Sequence, residues 1–170
     1  MISNKIEDII NIQIEKEGYS SNLYLAMASW AENQGFAGTA EWLHAQAEEE
    51  RSHMLKFIAY VNDRGGKAII PDFKKPPSDF VDISTCFKQV MEHERYITNS
   101  INEIVALCAQ ERDFTTQNWV QWFVNEQIQE EKSVQGILDK LRLLGPGNLY
   151  MFDRDVLAMR QAEAAPAKTA

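Results

Sequence analysis

Apolar residues recur at alternating steps of three and four along four long segments of the chain. This spacing places them on one face of an α-helix, so each segment is predicted to be amphipathic and helical. Residues that commonly cap helices stand at three of the starts: Ser3 or Asn4, Thr39, and Thr115 or Thr116. The predicted helices cover about residues 4–33, 39–64, 83–111 and 115–145, followed by a short fifth helix at about 150–160.

The lengths of the connections predict the topology. Short turns join the first helix to the second and the third to the fourth, which makes two antiparallel hairpins. Residues 67–82 contain three prolines and no helical period, so they are predicted to be extended. Such a segment reaches ~53 Å, more than the ~39 Å length of a helix of about 26 residues. We therefore predict an all-α four-helix bundle with one long crossover and a short fifth C-terminal helix. Residues 1–160 would form this one domain, and 161–170 a disordered tail.

The apolar face of each long helix is interrupted by a glutamate near the middle of the helix. These residues are Glu17, Glu50, Glu94 and Glu130. His53 follows Glu50 by three residues, so both side chains lie on one face of the second helix. For any single helix, a period misplaced by one residue would leave its glutamate in water. This alternative is strongest for the first helix, where other polar residues also interrupt the face. Four glutamates at similar depths instead predict one central acidic layer.

Acidic side chains that meet in a buried layer need cations between them. Burying a carboxylate without compensation costs several kcal/mol or forces it to become neutral. A site of mostly carboxylate oxygens with one imidazole suits Fe(II), Mn or Zn, and shared carboxylates favour two metals over one. A structural zinc site would call for thiolates or more histidines, which this pattern lacks.

Charge and composition argue against several classes of protein. The 170 residues carry a net charge of −8, whereas nucleic-acid-binding proteins usually carry a basic surface. No apolar run approaches the ~20 residues that cross a membrane, and no secretory signal is visible, so a cytoplasmic location is predicted. Cys86 and Cys108 would lie about 33 Å apart on one helix, too far for a disulfide, and are predicted to be buried apolar groups. His44 and His93 fall outside the apolar faces and are predicted to lie at the surface.

The glutamates, the histidine and the connection lengths together resemble the ferritins of the haem-free bacterial type, over nearly the whole chain. The resemblance implies a ferritin-like bundle that holds two iron ions. It assigns the first iron to Glu17, Glu50 and His53. It assigns the second to Glu50, Glu94 and Glu130, with Gln127 close by.

Two aromatic residues also match the family pattern. Tyr24 matches the redox-active tyrosine beside the iron pair, and Trp122 matches a nearby aromatic residue. A role in core packing is the alternative for both rings.

Departures from the pattern of related proteins refine the expectation. Bacterioferritins and rubrerythrin-like enzymes carry a second Glu-x-x-His in the fourth helix, where this chain has Gln127-x-x-Glu130. One imidazole fewer should weaken the second iron site and favour passing oxidised iron onward. Arg51 stands where bacterioferritins place their haem-ligating methionine, so no haem is expected.

A third iron site that many bacterial ferritins build from four glutamates is matched only in part. Glu49, Glu126 and Glu130 are present, but Gln129 replaces the remaining carboxylate. Iron affinity at this third site is therefore expected to be lower.

The resemblance implies a ferroxidase that oxidises Fe(II) with O2 or H2O2 and stores Fe(III) as a ferric oxyhydroxide mineral. The mineral would lie inside a homo-oligomeric shell of 24 subunits, with the fifth helix at the fourfold axes. Three alternatives stay open: another di-metal oxygenase or peroxidase, a DNA-protecting mini-ferritin, and a purely structural or signalling bundle. A mini-ferritin would lack the fifth helix and bind metal between subunits, and a structural bundle would not need central glutamates.

Overall fold

The computed structural model describes residues 1–164, with the side chains of 162–164 excepted. The described residues are all-α and contain no strand, which confirms the predicted fold class. The long helices are α1 (Asn4–Asn33), α2 (Ala37–Asp63), α3 (Ile83–Glu111) and α4 (Phe114–Leu144). A 3-10 turn at Pro146–Asn148 leads into α5 (Leu149–Ala164).

Side chains from outside each of the four long helices accept hydrogen bonds from its first amide groups, and two predicted caps were wrong. Ser3 caps α1 as predicted, by accepting a hydrogen bond from the amide of Ile6. For α4 the cap is Asp113, whose Oδ1 accepts from the amide of Thr116 at 3.0 Å; neither Thr115 nor Thr116 is the cap. A carboxylate at this position also opposes the positive end of the helix dipole.

The start of α2 is capped from a distant part of the chain rather than by Thr39. The helix begins at Ala37, and the carboxylate of Asp153 in α5 accepts from the amides of Gly38 at 2.9 Å and Thr39 at 2.7 Å. Gly38 permits this contact, because a Cβ there would collide with the backbone oxygen of Asp153. The cap therefore ties α5 to the bundle.

The segment between α2 and α3 is extended as predicted and is held along α1. Asn11 donates from Nδ2 to the carbonyl of Lys67 at 3.1 Å and accepts from the amide of Ile69 at 2.8 Å. Further along, the ring of Phe73 lies over Gly18, where any larger residue would meet it. These contacts guide the crossover along the length of the bundle.

Two apolar clusters fill the ends of the bundle. One contains Ile6, Ile10, Phe57 and Ile101, and the other contains Met27, Leu43, Phe87 and Ile137. The buried side chains between these two clusters are mostly polar, and they come from the middle of all four long helices. The structure thus has a polar layer that lies between two apolar clusters.

Helix α5 packs against α2 and α4 through the fully buried Phe152 and Val156. It continues to Ala164, four residues into the predicted tail, and the rest of that tail, 165–170, lies outside the described residues. Cys86 and Cys108 are buried and free. In the described part of the chain, every helix is too short or too polar to cross a membrane.

We predict that Asp153→Ala destabilises the metal-free protein by about 1 kcal/mol, the usual cost of removing an N-terminal cap. The fall in the urea unfolding midpoint measures it. Asp155→Ala is the matched control, because Asp155 makes long ion pairs at the surface, with Lys140 at 3.7 Å and Arg154 at 3.9 Å, and should change the midpoint less. Equal effects of the two substitutions would contradict a capping role for Asp153.

Candidate metal centre

The four glutamates that interrupt the apolar faces all point into the polar layer. Glu17, Glu50 and Glu94 are each 1% exposed, and Glu130 is 5% exposed. The alternative of a misplaced helical period, which would have left them in water, is therefore wrong for every helix. Even α1, where the pattern was weakest, buries its carboxylate.

One half of the layer is a compact group formed by Glu17, Glu50 and His53. Their potential ligand atoms all lie within 4.8 Å of one another. Nδ1 of His53 is 3.5 Å from Oε2 of Glu50 and 3.9 Å from Oε2 of Glu17. Both carboxylate oxygens of Glu50 and Oε2 of Glu17 are buried and receive no hydrogen bond from any other described residue, apart from a proton that the two carboxyl groups can share.

Unpartnered oxygens of this kind are rare, because burying a polar atom unpaired costs about 1–3 kcal/mol. Three such oxygens beside an imidazole nitrogen form a donor set suited to a divalent cation. Of the side chains in the layer, Glu50 is the most completely prepared to bind metal, since both of its oxygens are free to do so.

The other half of the layer contains Glu94 and Glu130, whose oxygens already accept hydrogen bonds. Glu94 accepts from Nε2 of Gln127 at 3.1 Å and from the hydroxyl of Tyr24. Oε2 of Glu130 accepts from Nε2 of Gln46 at 2.8 Å. These bonds orient the two carboxylates and leave each with further lone pairs.

Two glutamines that orient the carboxylates were not singled out from the sequence. Gln13 donates to Oε1 of Glu17 at 2.7 Å, and Gln46 donates to Glu130. A usable signal was present for Gln13, which lies one helical turn before Glu17 and shares its face. Gln46 lies one turn before Glu50 but bonds across the bundle to α4, which spacing within one helix does not reveal.

Burial and mutual repulsion raise the pKa of every carboxyl group in the layer. For Glu17 the main cause is burial, followed by the charge of Glu50, and for Glu50 it is burial followed by the charge of Glu94. The pKa of Glu94 rises through burial, and that of Glu130 rises to about 9 through burial and the charge of Glu94. Without cations, Glu130 therefore keeps its proton at neutral pH, and a bound metal ion would displace it.

Tyr24 and Trp122 flank opposite halves of the layer. Tyr24 is fully buried and donates to Glu94, and burial with the nearby Glu94 charge raises its pKa. Trp122 stands edge-on to His53, with ring centroids 5.5 Å apart, and is 42% exposed. The ammonium group of Lys56 lies 3.3 Å from the centroid of the Trp122 indole.

A second acidic group borders the layer on the α2–α4 side. Ligand atoms of Glu49, His53 and Glu126 lie within 4.8 Å of one another, and Glu49 and Glu126 are partly exposed. They open into a cleft of about 530 Å³ that Gln129 and Glu130 also line. The residues predicted for a third site thus share one cleft, with the amide of Gln129 in place of a carboxylate.

His44 is exposed as predicted, whereas His93 is only partly exposed, where it lines a groove. His93 is partly buried, and its Nε2 lies 2.7 Å from the hydroxyl oxygen of Ser20. Burial lowers the pKa of His93 to about 4. The side chain lies beside the apolar face of α3 and reaches α1, which a one-helix pattern cannot show.

Comparisons with known proteins agree on one family. The model of the ferritin-like domain matches residues 7–144. A probable bacterial non-heme ferritin-like protein from Haemophilus influenzae is 40% identical, covering 92% of this chain and 96% of its own. A bacterial non-heme ferritin from Campylobacter jejuni is 38% identical, over 91% of this chain and 93% of its own. The crystal structure of an open pore ferritin from Archaeoglobus fulgidus superposes with a TM-score of 0.90 at 39% identity, over 92% of this chain and 96% of that one.

The raised pKa values predict that the metal-free protein becomes less stable as pH rises. A folded-state pKa of about 9 for Glu130, against 4.5 as its ordinary value, means that stability present below pH 4.5 is lost progressively up to pH 9. Each carboxyl that holds a proton only in the folded state contributes a slope of about 1.4 kcal/mol per pH unit. Urea unfolding with a chelator present, between pH 6 and pH 8.5, measures this slope.

Glu130→Gln should flatten that dependence, because the amide cannot ionise. Glu103→Gln is the control, since Glu103 is exposed on α3, and it should keep the wild-type slope. A wild-type protein equally stable at both ends of the range would contradict the assigned electrostatics.

Proposed function

The chain belongs to the family of ferritin-like proteins, and we propose that it stores iron by oxidising Fe(II) at a di-iron centre inside each subunit. Fe(II) is the substrate, and O2 or H2O2 is the oxidant. The product, Fe(III), is stored as a ferric oxyhydroxide mineral inside a hollow shell of identical subunits.

The observation that carries the proposal is the pair of unpartnered, buried oxygens on Glu50. They lie between Glu17 and His53 on one side and the charges of Glu94 and Glu130 on the other. We assign the first Fe(II) to Glu17, Glu50 and His53. The second is assigned to Glu50, Glu94 and Glu130, with the amide of Gln127 beside them. Glu50 is the bridge in this assignment.

A shared carboxylate explains why oxidation would be fast. Two Fe(II) ions held close together can each give one electron to the same O2 molecule, which takes up two protons and becomes H2O2. Protons displaced from the carboxyl groups on metal binding are available for this step. Each Fe(III) that leaves then reacts with two water molecules to give FeO(OH) and three protons.

The half of the centre that contains Glu94 and Glu130 favours release of the product. Glu94 and Glu130 share their oxygens with Tyr24, Gln127 and Gln46, and this half has no imidazole ligand. We infer weaker binding there than at His53, so oxidised iron passes on rather than staying as a cofactor. The cleft with Glu49 and Glu126 is a third, weaker iron site in this proposal, because Gln129 supplies no charge.

Storage requires a shell. We propose that this shell contains 24 subunits, binds no haem and lies in the cytoplasm. The likeness to the open pore ferritin of Archaeoglobus fulgidus supports a ferritin-type assembly. Tyr150 in α5 is 81% exposed in the single chain and is a suitable contact for a neighbouring subunit. The presence of α5 and of a metal group within one bundle also argues against the mini-ferritin alternative.

We predict that the double variant Glu50→Ala, His53→Ala loses fast Fe(II) oxidation while its assembly remains intact, because it removes the bridge and the imidazole from an internal site. Stopped-flow absorbance of Fe(III) formation under air measures the initial rate. Glu48→Ala, an exposed neighbour on the same helix, should leave the rate unchanged. Wild-type initial rates in the double variant would contradict the assignment of Glu50 and His53 as iron ligands.

Storage itself is tested by size in solution and iron content after aerobic loading. The wild type should elute as a large assembly that retains many more iron atoms than the two or three that each chain can ligate. A monomer or dimer that retains only ligand-bound iron would instead indicate a di-metal oxygenase or peroxidase.

A further inference from the structure

A continuous series of aromatic rings leads from the metal centre to the surface of the subunit. Tyr24 donates to Glu94 and stands edge-on to the imidazole of His93, with ring centroids 5.9 Å apart. The same imidazole lies 6.0 Å from the ring centroid of Tyr19 and 6.0 Å from that of Tyr96. All three contacts lie in the range typical of direct aromatic pairs.

The orientation of His93 is fixed by its neighbours. The hydroxyl of Ser20 lies 3.0 Å from the carbonyl oxygen of Lys16, to which it can donate, and 2.7 Å from Nε2 of His93. One hydrogen bond and three ring contacts thus hold the imidazole between the buried tyrosine and the two outer ones.

The two ends of the series differ in their access to solvent. Tyr24 is 0% exposed, whereas Tyr96 is 51% exposed. Tyr19 and Tyr96 line a groove of about 430 Å³ together with Lys16, Lys74 and Glu15, so two lysines against one glutamate leave its charged lining positive. The ammonium group of Lys16 lies 5.0 Å from the centre of the Tyr96 ring. On a chain of net charge −8, these lysines give a small anionic molecule a local place to approach.

We propose that Tyr24, His93 and the outer pair Tyr19 and Tyr96 form a path by which single oxidising equivalents leave the metal centre for a small anionic reductant in the groove. The proposal rests on the proposed iron oxidation, which supplies both H2O2 and unpaired Fe(II). Its value to the protein is protection, because a radical left in a closed site otherwise attacks the ligands.

One Fe(II) and one H2O2 give Fe(III), hydroxide and a hydroxyl-radical equivalent, which takes a hydrogen atom from Tyr24 and becomes water. An electron from Tyr19 or Tyr96 then crosses His93 to the Tyr24 radical, which regains a proton through Glu94. The outer tyrosine gives its own proton to water. A reductant such as the ascorbate monoanion finally gives that tyrosine a hydrogen atom and becomes the ascorbyl radical.

The test follows the tyrosyl radical by freeze-quench electron paramagnetic resonance after mixing Fe(II)-loaded protein with H2O2, with and without ascorbate. Tyr24→Phe identifies the signal that belongs to Tyr24. In the double variant Tyr19→Phe, Tyr96→Phe, and separately in His93→Leu, we expect the Tyr24 radical to persist several-fold longer than in the wild type. Ascorbate should speed its decay in the wild type and have little effect in either variant.

Tyr150→Phe is the matched control, because Tyr150 lies on α5 outside the series, and this variant should show the radical decay of the wild type. Wild-type decay in the double variant or in His93→Leu would overturn the path, as would the absence of any radical that Tyr24→Phe removes. Initial Fe(II) oxidation rates measured on the same samples separate the two claims. Loss of fast oxidation in the wild type rejects the proposed function, whereas a normal rate with unchanged radical decay rejects the path alone.

Discussion

The repulsion among carboxylates that the bundle buries between two apolar clusters is the constraint on which the structure depends. Glu17, Glu50, Glu94 and Glu130 are nearly inaccessible to water, and their pKa values are all raised. An unliganded layer of this kind lowers stability, since the chain must either keep protons at neutral pH or bear unpaired charge. Bound cations remove this cost, so the free energy of unfolding that the metal-free bundle loses by burying these carboxylates is regained when metal binds.

The rest of the fold serves to hold this layer in place. Four long helices place one glutamate each at mid-height, while Gln13, Gln46 and Gln127 orient individual oxygens. The apolar clusters on either side exclude water, which strengthens the interaction of each ligand with a cation. Asp153 ties α5 to the start of α2 without entering the layer. The Asp153 cap and the crossover along α1 therefore hold the helices together without using the carboxylates of the polar layer.

Periodicity predicted the helices and the inward glutamates because one face of a long helix must meet the core, so Glu50 and His53 could be placed from their spacing alone. Long-range contacts could not be predicted in this way. Asp153 caps a helix more than a hundred residues earlier in the chain, and Gln46 bonds to the opposite hairpin rather than along α2. The partial burial of His93 could not be predicted for the same reason, since its partner Ser20 belongs to α1. The cap of α4 shows a local failure: Thr115 or Thr116 was predicted, whereas the helix already begins at Phe114 and the carboxylate of Asp113 caps it.

The most direct test of the account is to locate iron in crystals soaked anaerobically with Fe(II), by anomalous difference maps at the iron absorption edge. The account predicts two peaks in each chain, about 3.5–4 Å apart, with a carboxylate of Glu50 between them. His53 should contact one peak, and Glu94 and Glu130 the other. Maps with no peak in the polar layer, or with iron only at exposed acidic residues, would contradict it.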